Sequence, residues 1–241
     1  MALTPRGLML KTRLSNGAVV YGKNRPGFGG RGVYIFRDKL EPEHEHLEKF
    51  LFREGVFVDV GANTGIYTLK AAKHFAQRGV VLAIEPFPDM LGTLYCSVRA
   101  NGFTNVRLRN VCMGDKTGTS ELWLNAGHPN AFSLFKRDTG ATSLSTLMVA
   151  LDDLFVWEKL DRLDYLKIDA EGAEAMVLAG GMKTIEKYRP IIQAEVAVAE
   201  VSFNLRNYAS FRAANSPNRL FIPREHPKAR VPESLGWALG T

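Results

Sequence analysis

Hydrophobic and polar residues follow one another in blocks along the middle of the chain, and the blocks change period. Short, nearly continuous apolar runs at 56–60 (VFVDV) and 80–86 (VVLAIEP) are typical of strands that are buried on both faces. Each run is followed by apolar residues at helical spacing, such as Ile66, Leu69 and Phe75 after the first. The pattern therefore predicts repeated strand–helix units.

The same alternation continues to about residue 198. It predicts a third strand over 105–114, a further strand over 163–170, a glycine-broken helix over 173–188 and another strand over 191–198. The polar segment 125–146 is predicted to be a loop or hairpin. Apolar strands that alternate with helices favour an α/β fold, with a doubly wound, mostly parallel, Rossmann-like sheet.

The two ends of the chain have a different pattern. Residues 9–36 alternate loosely around SNG and a glycine cluster, which predicts a hairpin or meander, and 40–55 has helical spacing that stops at Gly55. On that helix His44 and His46 would face different directions, so we expect both to be solvated. The predicted organisation is an N-terminal hairpin and helix (1–55), a core (56–200), and a basic extension that completes the sheet or the substrate site (201–241).

The composition fits one substantial core in a cytoplasmic protein. The 241 residues are 46% hydrophobic, yet no run approaches the roughly 18 apolar residues of a membrane span. The N-terminus lacks the apolar stretch of a signal peptide. Cys96 and Cys112 have neither CxxC spacing nor a zinc-like set of partners, so we expect two small core residues in a reducing compartment. No contact with a membrane is expected.

The net charge of +6 is unevenly distributed. Residues 1–40 hold eight Lys/Arg against the single acid Asp38, and 201–241 hold six against two acids, so the middle of the chain is acidic. An acidic centre differs from the evenly basic face of a nucleic-acid-binding protein, and no nucleic-acid partner is expected. The basic ends are either ordinary solvated surface or a rim that attracts an anionic substrate.

The motif DVGANTG (59–65) lies between the first core strand and its helix. A phosphate-binding loop needs GxxxxGK[ST], but no lysine follows Gly65, and of the three glycines in GxGxxG only Gly61 is present. Gly61 allows a bend and a close approach of a ligand. Asp59 suits an ammonium group rather than a phosphate, and Glu85 ends the second strand where a carboxylate can bind both ribose hydroxyls. S-adenosylmethionine meets these requirements.

Three segments together resemble the FkbM family of class I S-adenosylmethionine-dependent methyltransferases: VFVDVGANTGIYTL, AIEPFPDM and LDYLKIDAEGAEAMVLAGG. The resemblance covers roughly residues 40–198, and this order and spacing are more specific than a single glycine motif. It implies the class I methyltransferase fold and S-adenosylmethionine as the cofactor. The implied cofactor-binding residues are Asp59, Gly61, Asn63 and Gly65 around the methionine part, Glu85 at the ribose, Pro86 and Phe87 beside the adenine, and Asn110 and Val111 in the adenine pocket.

A hydroxyl acceptor needs a base that removes its proton. The candidates are two acids in KIDAEGAE: Asp169, placed at the cofactor and acceptor, and Glu171, as general base or acceptor-binding residue. Glu171 is equally compatible with a carboxylate at a helix N-terminus. A Mg²⁺ site that adds Glu195, and a role for His128 as base or as surface residue, stay open. Lys167 is expected to reach an edge or to extend its ammonium group to water.

The expected activity is methylation of a hydroxyl on a carbohydrate or small natural product, with a small-molecule or glycan acceptor whose charge stays open. The alternatives are a methyltransferase for nucleic acid or protein, a non-catalytic S-adenosylmethionine-binding protein and an NAD-linked oxidoreductase. Amino-directed nucleic-acid methyltransferases carry a [DN]PP[YF] set after the strand that corresponds to 163–170, and this sequence lacks it. Acids at both the ribose and acceptor positions disfavour the non-catalytic alternative.

Overall fold

The computed structural model describes residues 7–25, 29–124, 132–137, 139–195 and 205–240. The strands in these ranges are β1 Met9–Arg13, β2 Val19–Lys23, β3 Val56–Val60, β4 Val80–Ile84, β5 Val106–Arg109, β6 Cys112–Gly114, β7 Gly118–Leu124, β8 Phe132–Ser133, β9 Thr142–Ala150, β10 Tyr165–Ile168, β11 Ile191–Glu195, β12 Tyr208–Arg212, β13 Asn218–Pro223 and β14 Ala238–Leu239. The α-helices are α1 Gly30–Phe36, α2 Pro42–Phe50, α3 Ile66–Phe75, α4 Pro88–Ala100, α5 Leu151–Glu158, α6 Glu174–Ala179, α7 Met182–Tyr188 and α8 Val231–Ser234. A 3₁₀ helix, Arg37–Leu40, joins α1 to the loop before α2.

The central sheet has eight strands in the order β14-β12-β13-β11-β10-β3-β4-β5. Strands β11, β10, β3, β4 and β5 are parallel, as the apolar runs predict. From β3 the chain moves outward through β4 to β5, and it then returns to the other side of β3 to form β10 and β11. The strand order therefore reverses between β3 and β10, and ligands of such sheets bind at the carboxyl ends of the strands at this point.

Strand β3 is buried throughout because the sheet is covered on both faces. Phe57 packs into a cluster with residues of α2, α3 and α4, whereas Val58 and Val60 pack into a second cluster with residues of α5, α6 and α7. Alternate side chains of one strand thus enter two cores, which explains an apolar run without polar alternation.

The predicted third strand, 105–114, is two strands. β5 pairs with β4 in the central sheet, but β6 pairs with β9 in a separate four-stranded sheet of order β6-β9-β7-β8. The chain leaves the central sheet at Asn110, whose Nδ2 donates to the carbonyl oxygens of Glu85 and Pro86, both at 2.9 Å. This side chain binds the two carbonyls that directly follow β4, where a longer β5 would pair.

Residues 9–36 contain the predicted hairpin, since β1 and β2 pair antiparallel. The end of this segment is instead helix α1, anchored by the buried side chain of Val33. At the other end of the chain, β13, β12 and β14 extend the central sheet with antiparallel strands. No helix within the described ranges is both long and apolar enough to cross a membrane.

The expectation that His44 is solvated is wrong. Its side chain is 0% exposed because α2 packs against α3, and its ring nitrogens lie 3.2 Å from the carbonyl oxygens of Asp38 and Ile66. Cys112 is buried as expected, but Cys96 is exposed, since it lies on the outer face of α4.

Candidate active site

A cleft lies at the carboxyl ends of β3, β4 and β10, where the strand order reverses. It holds about 650 Å³ free of protein atoms, part of it open to solvent. Its wall contains eight of the eleven residues predicted for the site: Gly61, Asn63, Glu85, Pro86, Phe87, Val111, Asp169 and Glu171. The other three, Asp59, Gly65 and Asn110, are not among the residues that line it.

Gly61 brings the loop after β3 into backbone contact with the end of β10. Its φ is +72°, and a Cβ atom at this position would lie 1.8 Å from the carbonyl oxygen of Asp169. The N–H groups of Gly61 and Ala62 both donate to the carbonyl oxygen of Ile84 at 3.0 Å, which ties the same loop to β4. A glycine is therefore required here by the packing of three strand ends.

Gly65 directly precedes helix α3, which begins at Ile66. Its φ is +81°, and a Cβ atom here would lie 2.1 Å from Cδ1 of Leu94 on α4. The glycine thus allows α3 to begin in close contact with α4. Its contribution to the cleft is indirect.

Glu85 is held in a defined orientation at the end of β4. Its Oε2 accepts a hydrogen bond from the backbone N–H of Asn63 at 2.8 Å, and its Oε1 accepts one from the N–H of Phe87 at 2.9 Å. The side chain is 7% exposed. Burial raises the pKa of Glu85 to about 7, although the two N–H groups favour the ionised form.

Asn63 lines the same part of the cleft and carries a side-chain acceptor without a partner among the described residues. Its Oδ1 is buried and has no hydrogen-bond partner among the described residues. Its backbone has φ +49°, in the left-handed region that asparagine tolerates better than most residues. A buried amide oxygen without a partner is costly, so this atom favours a ligand that donates a hydrogen bond.

Asp59 lies beneath the loop. Its Oδ2 accepts hydrogen bonds from the N–H of Thr68 at 3.1 Å and from the Thr68 hydroxyl at 2.6 Å. Its Oδ1 lies 3.8 Å from Nζ of Lys167. The ammonium group beside Asp59 in this structure is thus one of the chain's own.

The expectation that Lys167 reaches an edge or water is wrong. The residue is 4% exposed, and its Nζ donates to Oδ2 of Asp169 at 3.1 Å and to the carbonyl oxygen of Gly61 at 3.3 Å. Burial alone would lower the pKa of Lys167, but the carboxylates of Asp169 and Asp59 outweigh it and raise that pKa. A lysine inside an apolar strand, with an aspartate inside the neighbouring one, is the signal that could have identified this pair.

The opposite part of the cleft is acidic. Asp169 and Glu171 line it, and Glu195 ends the adjacent strand β11. Burial, together with repulsion from Asp169 and Glu171, raises the pKa of Glu195 to about 7. Within the described part of the chain, no three His, Cys, Asp or Glu side chains are grouped so that they could hold a metal ion.

Glu171 does not occupy the helix N-terminus. Helix α6 begins at Glu174, whose Oε1 accepts hydrogen bonds from the N–H groups of Ala170 and Gly172 at 2.9 and 3.1 Å. Glu171 precedes this turn with φ +51° and lies on the cleft wall. The helix-terminus interpretation therefore fits Glu174 and not Glu171.

The second sheet supplies an apolar wall that the sequence analysis did not assign. Met113, Leu122 and Leu134 line the cleft. The same sheet is attached to the acidic part, because the Ser133 hydroxyl and the Arg137 guanidinium both donate to the carbonyl oxygen of Glu171, at 3.0 and 2.8 Å. His128, the alternative base, lies outside the described residues.

Comparison with known proteins places this geometry in a family. The sequence profile described as the methyltransferase FkbM domain matches residues 59–216. A protein named Methyltransferase 1 from Beauveria bassiana (strain ARSEF 2860) is 26% identical, over 59% of this chain and 68% of that relative.

The crystal structure of methyltransferase FkbM from Methylobacillus flagellatus KT superimposes with a TM-score of 0.52 and 18% identity. The superposition covers 78% of this chain and 52% of that one, so this chain spans about half the length of that protein. At this identity the likeness concerns the fold. It confirms the predicted α/β architecture of the class I methyltransferase type.

Proposed function

Because the chain belongs to the FkbM methyltransferase domain family, we propose that it is an S-adenosylmethionine-dependent methyltransferase that methylates a hydroxyl group of a carbohydrate or small natural product. The observation that supports cofactor use best is the Glu85 carboxylate, oriented by two backbone N–H groups at the point where the strand order reverses. This is where a carboxylate binds ribose hydroxyls in related folds.

The residues of the cleft fit this cofactor. Glu85 would hold the ribose, and the unpartnered Oδ1 of Asn63 would accept a hydrogen bond from the amino-acid part. Pro86, Phe87 and Val111 would lie against the adenine. When bound, S-adenosylmethionine supplies an electrophilic methyl group on a positively charged sulfur.

The contribution of the protein is position and proton removal. The backbones of Gly61 and Asp169 are in contact where the strand order reverses. This contact holds the proposed cofactor and acceptor regions at a fixed separation. Holding two reactants in line can be worth roughly 7–11 kcal/mol of the barrier. Asp169 would orient the acceptor hydroxyl, and Glu171 would accept its proton. Both side chains line the cleft, where a general base must lie to reach the proton of the acceptor hydroxyl.

The acceptor is proposed from the chemistry of the acidic part. A polyhydroxy compound can donate several hydrogen bonds to Asp169, Glu171 and Glu195, whereas an anion close to these carboxylates would be repelled. The basic ends remain a candidate rim for an anionic group farther from the reacting hydroxyl. We propose a small-molecule or glycan acceptor and no nucleic-acid partner.

Titration calorimetry with S-adenosylhomocysteine and, separately, NADH tests the proposal. We expect saturable binding of S-adenosylhomocysteine alone, weakened about 100-fold or more by Glu85→Ala, since hydrogen bonds to a charged group are worth about 1.5–3 kcal/mol each. The matched control is Glu158→Ala, because Glu158 is equally buried but pairs with Arg107 and Arg109 away from the cleft.

Binding of NADH instead would contradict the use of S-adenosylmethionine. Unchanged affinity in Glu85→Ala would contradict the assignment of Glu85 to the ribose. Methyl transfer to a panel of sugars and hydroxylated natural products then tests the reaction. Binding without transfer to any acceptor of the panel, including protein and RNA, would favour a non-catalytic protein.

A further inference from the structure

Lys167 lies beneath the point where the two parts of the cleft meet. Strands β10 and β3 are paired in register, so that Lys167 is directly opposite Asp59. Its Nζ contacts the carbonyl oxygen of Gly61 on one side and the carboxylate of Asp169 on the other. One buried ammonium group therefore joins the loop after β3 to the acid after β10.

The position of this ammonium group is over-determined. The ring of Tyr67 on α3 lies beneath it, with Nζ 5.4 Å from the ring centroid. The Tyr67 hydroxyl donates to Oε2 of Glu41 at 2.7 Å and accepts from Nε2 of Gln193 at 2.8 Å. A buried hydrogen-bonded network thus fixes the aromatic ring on which Lys167 rests.

The charge of Lys167 has a second effect. An isolated cation under this cleft would repel a cationic cofactor, but the carboxylates of Asp59 and Asp169 more than balance it. The charged and titratable groups around Lys167 and Asp169 are Asp59 on β3, Glu85 after β4, Glu41 before α2, Tyr67 on α3, Glu171 after β10 and Glu195 on β11. Lys167 is the cation among them, and it favours the ionised form of Glu85 and Asp59.

We infer that Lys167 is a positioning residue of the methyltransferase site, which locks the Gly61 loop to Asp169 and places a positive charge beside the buried carboxylate of Asp59. The ligand named in the test rests on the proposed function. The link between the Gly61 loop and Asp169 does not depend on the proposed function, because it is tested in the free protein.

The first measurement is the affinity for S-adenosylhomocysteine between pH 5.5 and 8.5, for the wild-type protein and Lys167→Met. Burial raises the pKa of Glu85 to about 7, and the charge of Lys167 is one of the interactions that oppose this rise. Removal of Lys167 should therefore move the midpoint of the pH profile upward by roughly one unit, since a neighbouring charge shifts a pKa by about 1–3 units. At pH 7 the ionised fraction of Glu85 should then fall about fivefold, and the affinity with it.

Lys70 offers a matched control. It is also a buried lysine, 1% exposed, and its Nζ pairs with Asp38 at 3.0 Å and with two backbone carbonyls far from the cleft. Lys70→Met should destabilise the protein without moving the pH midpoint. Lys167→Arg should keep a midpoint close to wild type, because the charge remains.

The second measurement needs no ligand. Amide hydrogen exchange at 60–66 and 168–173 should accelerate at least tenfold in Lys167→Met and stay unchanged in Lys70→Met. If Lys167→Met does not fold, Lys167→Gln, which keeps a donor without the charge, replaces it in both measurements.

A pH midpoint that does not move in the variant, or unchanged exchange in both segments, would overturn the inference about Lys167. If the wild-type protein binds no S-adenosylhomocysteine at any pH, the proposed function fails, and the exchange result alone then decides on Lys167. The two failures are thus distinguishable.

Discussion

The two sides of the cleft are built in different ways. On the cofactor side (Gly61, Asn63 and Glu85), backbone N–H groups bind both oxygens of the Glu85 carboxylate, and the segments that directly follow the consecutive strands β3 and β4 supply every residue. On the proposed acceptor side (Asp169, Glu171 and Glu195), burial and the neighbouring like charges together raise the pKa of Glu195. The second sheet also reaches this side, through Ser133 and Arg137.

This difference follows from what each side must do. A cofactor of constant shape can be recognised by fixed backbone geometry, which short sequence motifs encode. In the proposed reaction an acceptor hydroxyl must lose a proton, and the proposed base Glu171 lies near Glu195, whose pKa is raised to about 7 by burial and by repulsion from Asp169 and Glu171.

The largest effect is expected where the two sides touch. Gly61→Ala places a Cβ atom 1.8 Å from the carbonyl oxygen of Asp169, so both strand ends must move. We expect loss of saturable binding of S-adenosylhomocysteine in calorimetry and a fall in the unfolding midpoint. Two contributions add up: strain at a positive φ, roughly 1–3 kcal/mol, and the steric clash.

Gly102→Ala separates these two contributions. Gly102 also has a positive φ, +65°, but nothing lies within 4 Å of a Cβ atom there. The Gly102→Ala variant should show the effect of backbone strain alone and bind S-adenosylhomocysteine normally. Equal behaviour of the two variants would mean that contact between the sides is unimportant.

Glu171→Gln should break the acceptor side alone. We expect turnover with the identified acceptor to fall by about 10²–10⁴, the usual contribution of a general base. Affinity for S-adenosylhomocysteine should stay within about threefold, since the residues proposed to bind the cofactor, Glu85 and Asn63, are untouched. Steady-state kinetics and calorimetry on the same preparation measure both.

Glu174→Gln is the control for this variant. Glu174 binds the same turn through the N–H groups of Ala170 and Gly172 without lying on the cleft wall. The Glu174→Gln substitution should lower the free energy of unfolding more than it lowers turnover. Full turnover in Glu171→Gln would remove Glu171 as the base.

Much of the fold could be predicted because it depends on local pattern. The apolar runs at β3, β4, β10 and β11 are strands, since a strand between two helical layers has no solvent-facing side chains. The break after β5 could not be predicted, because it depends on where the Asn110 side chain finds acceptors beyond β4. Burial of His44 likewise depends on how α2 meets α3.

The site divides in the same way. Gly61, Asn63 and Glu85 were predictable because their spacing reflects two successive strand–loop units. Lys167 was not, because its partner Asp59 is adjacent only after β10 pairs with β3. The contacts of Ser133 and Arg137 with Glu171 also join distant segments, and no short-range pattern reports them.

The smallest effect expected is a difference between the two sides in pH dependence. Burial raises the pKa of Glu85 above the ordinary value of 4.5 to about 7, so a proton binds it as pH falls through 7. Only the ionised form accepts two ribose hydroxyls, and affinity for S-adenosylhomocysteine should be about tenfold weaker at pH 6 than at pH 8. Calorimetry should show this slope in the wild-type protein and a flat profile in Glu85→Gln.

Added salt should shift the pH midpoint on the acceptor side and leave the midpoint on the cofactor side unchanged. Glu195 also titrates near pH 7, but carboxylates contribute to its shift, and salt screens such repulsion at a partly exposed site. In 1 M salt we expect the pH midpoint of turnover to fall by about half a unit or less, while the midpoint for binding at buried Glu85 stays in place. If salt moves both midpoints equally, the cofactor side is governed by neighbouring charges as well, and burial is not the main cause of its pKa.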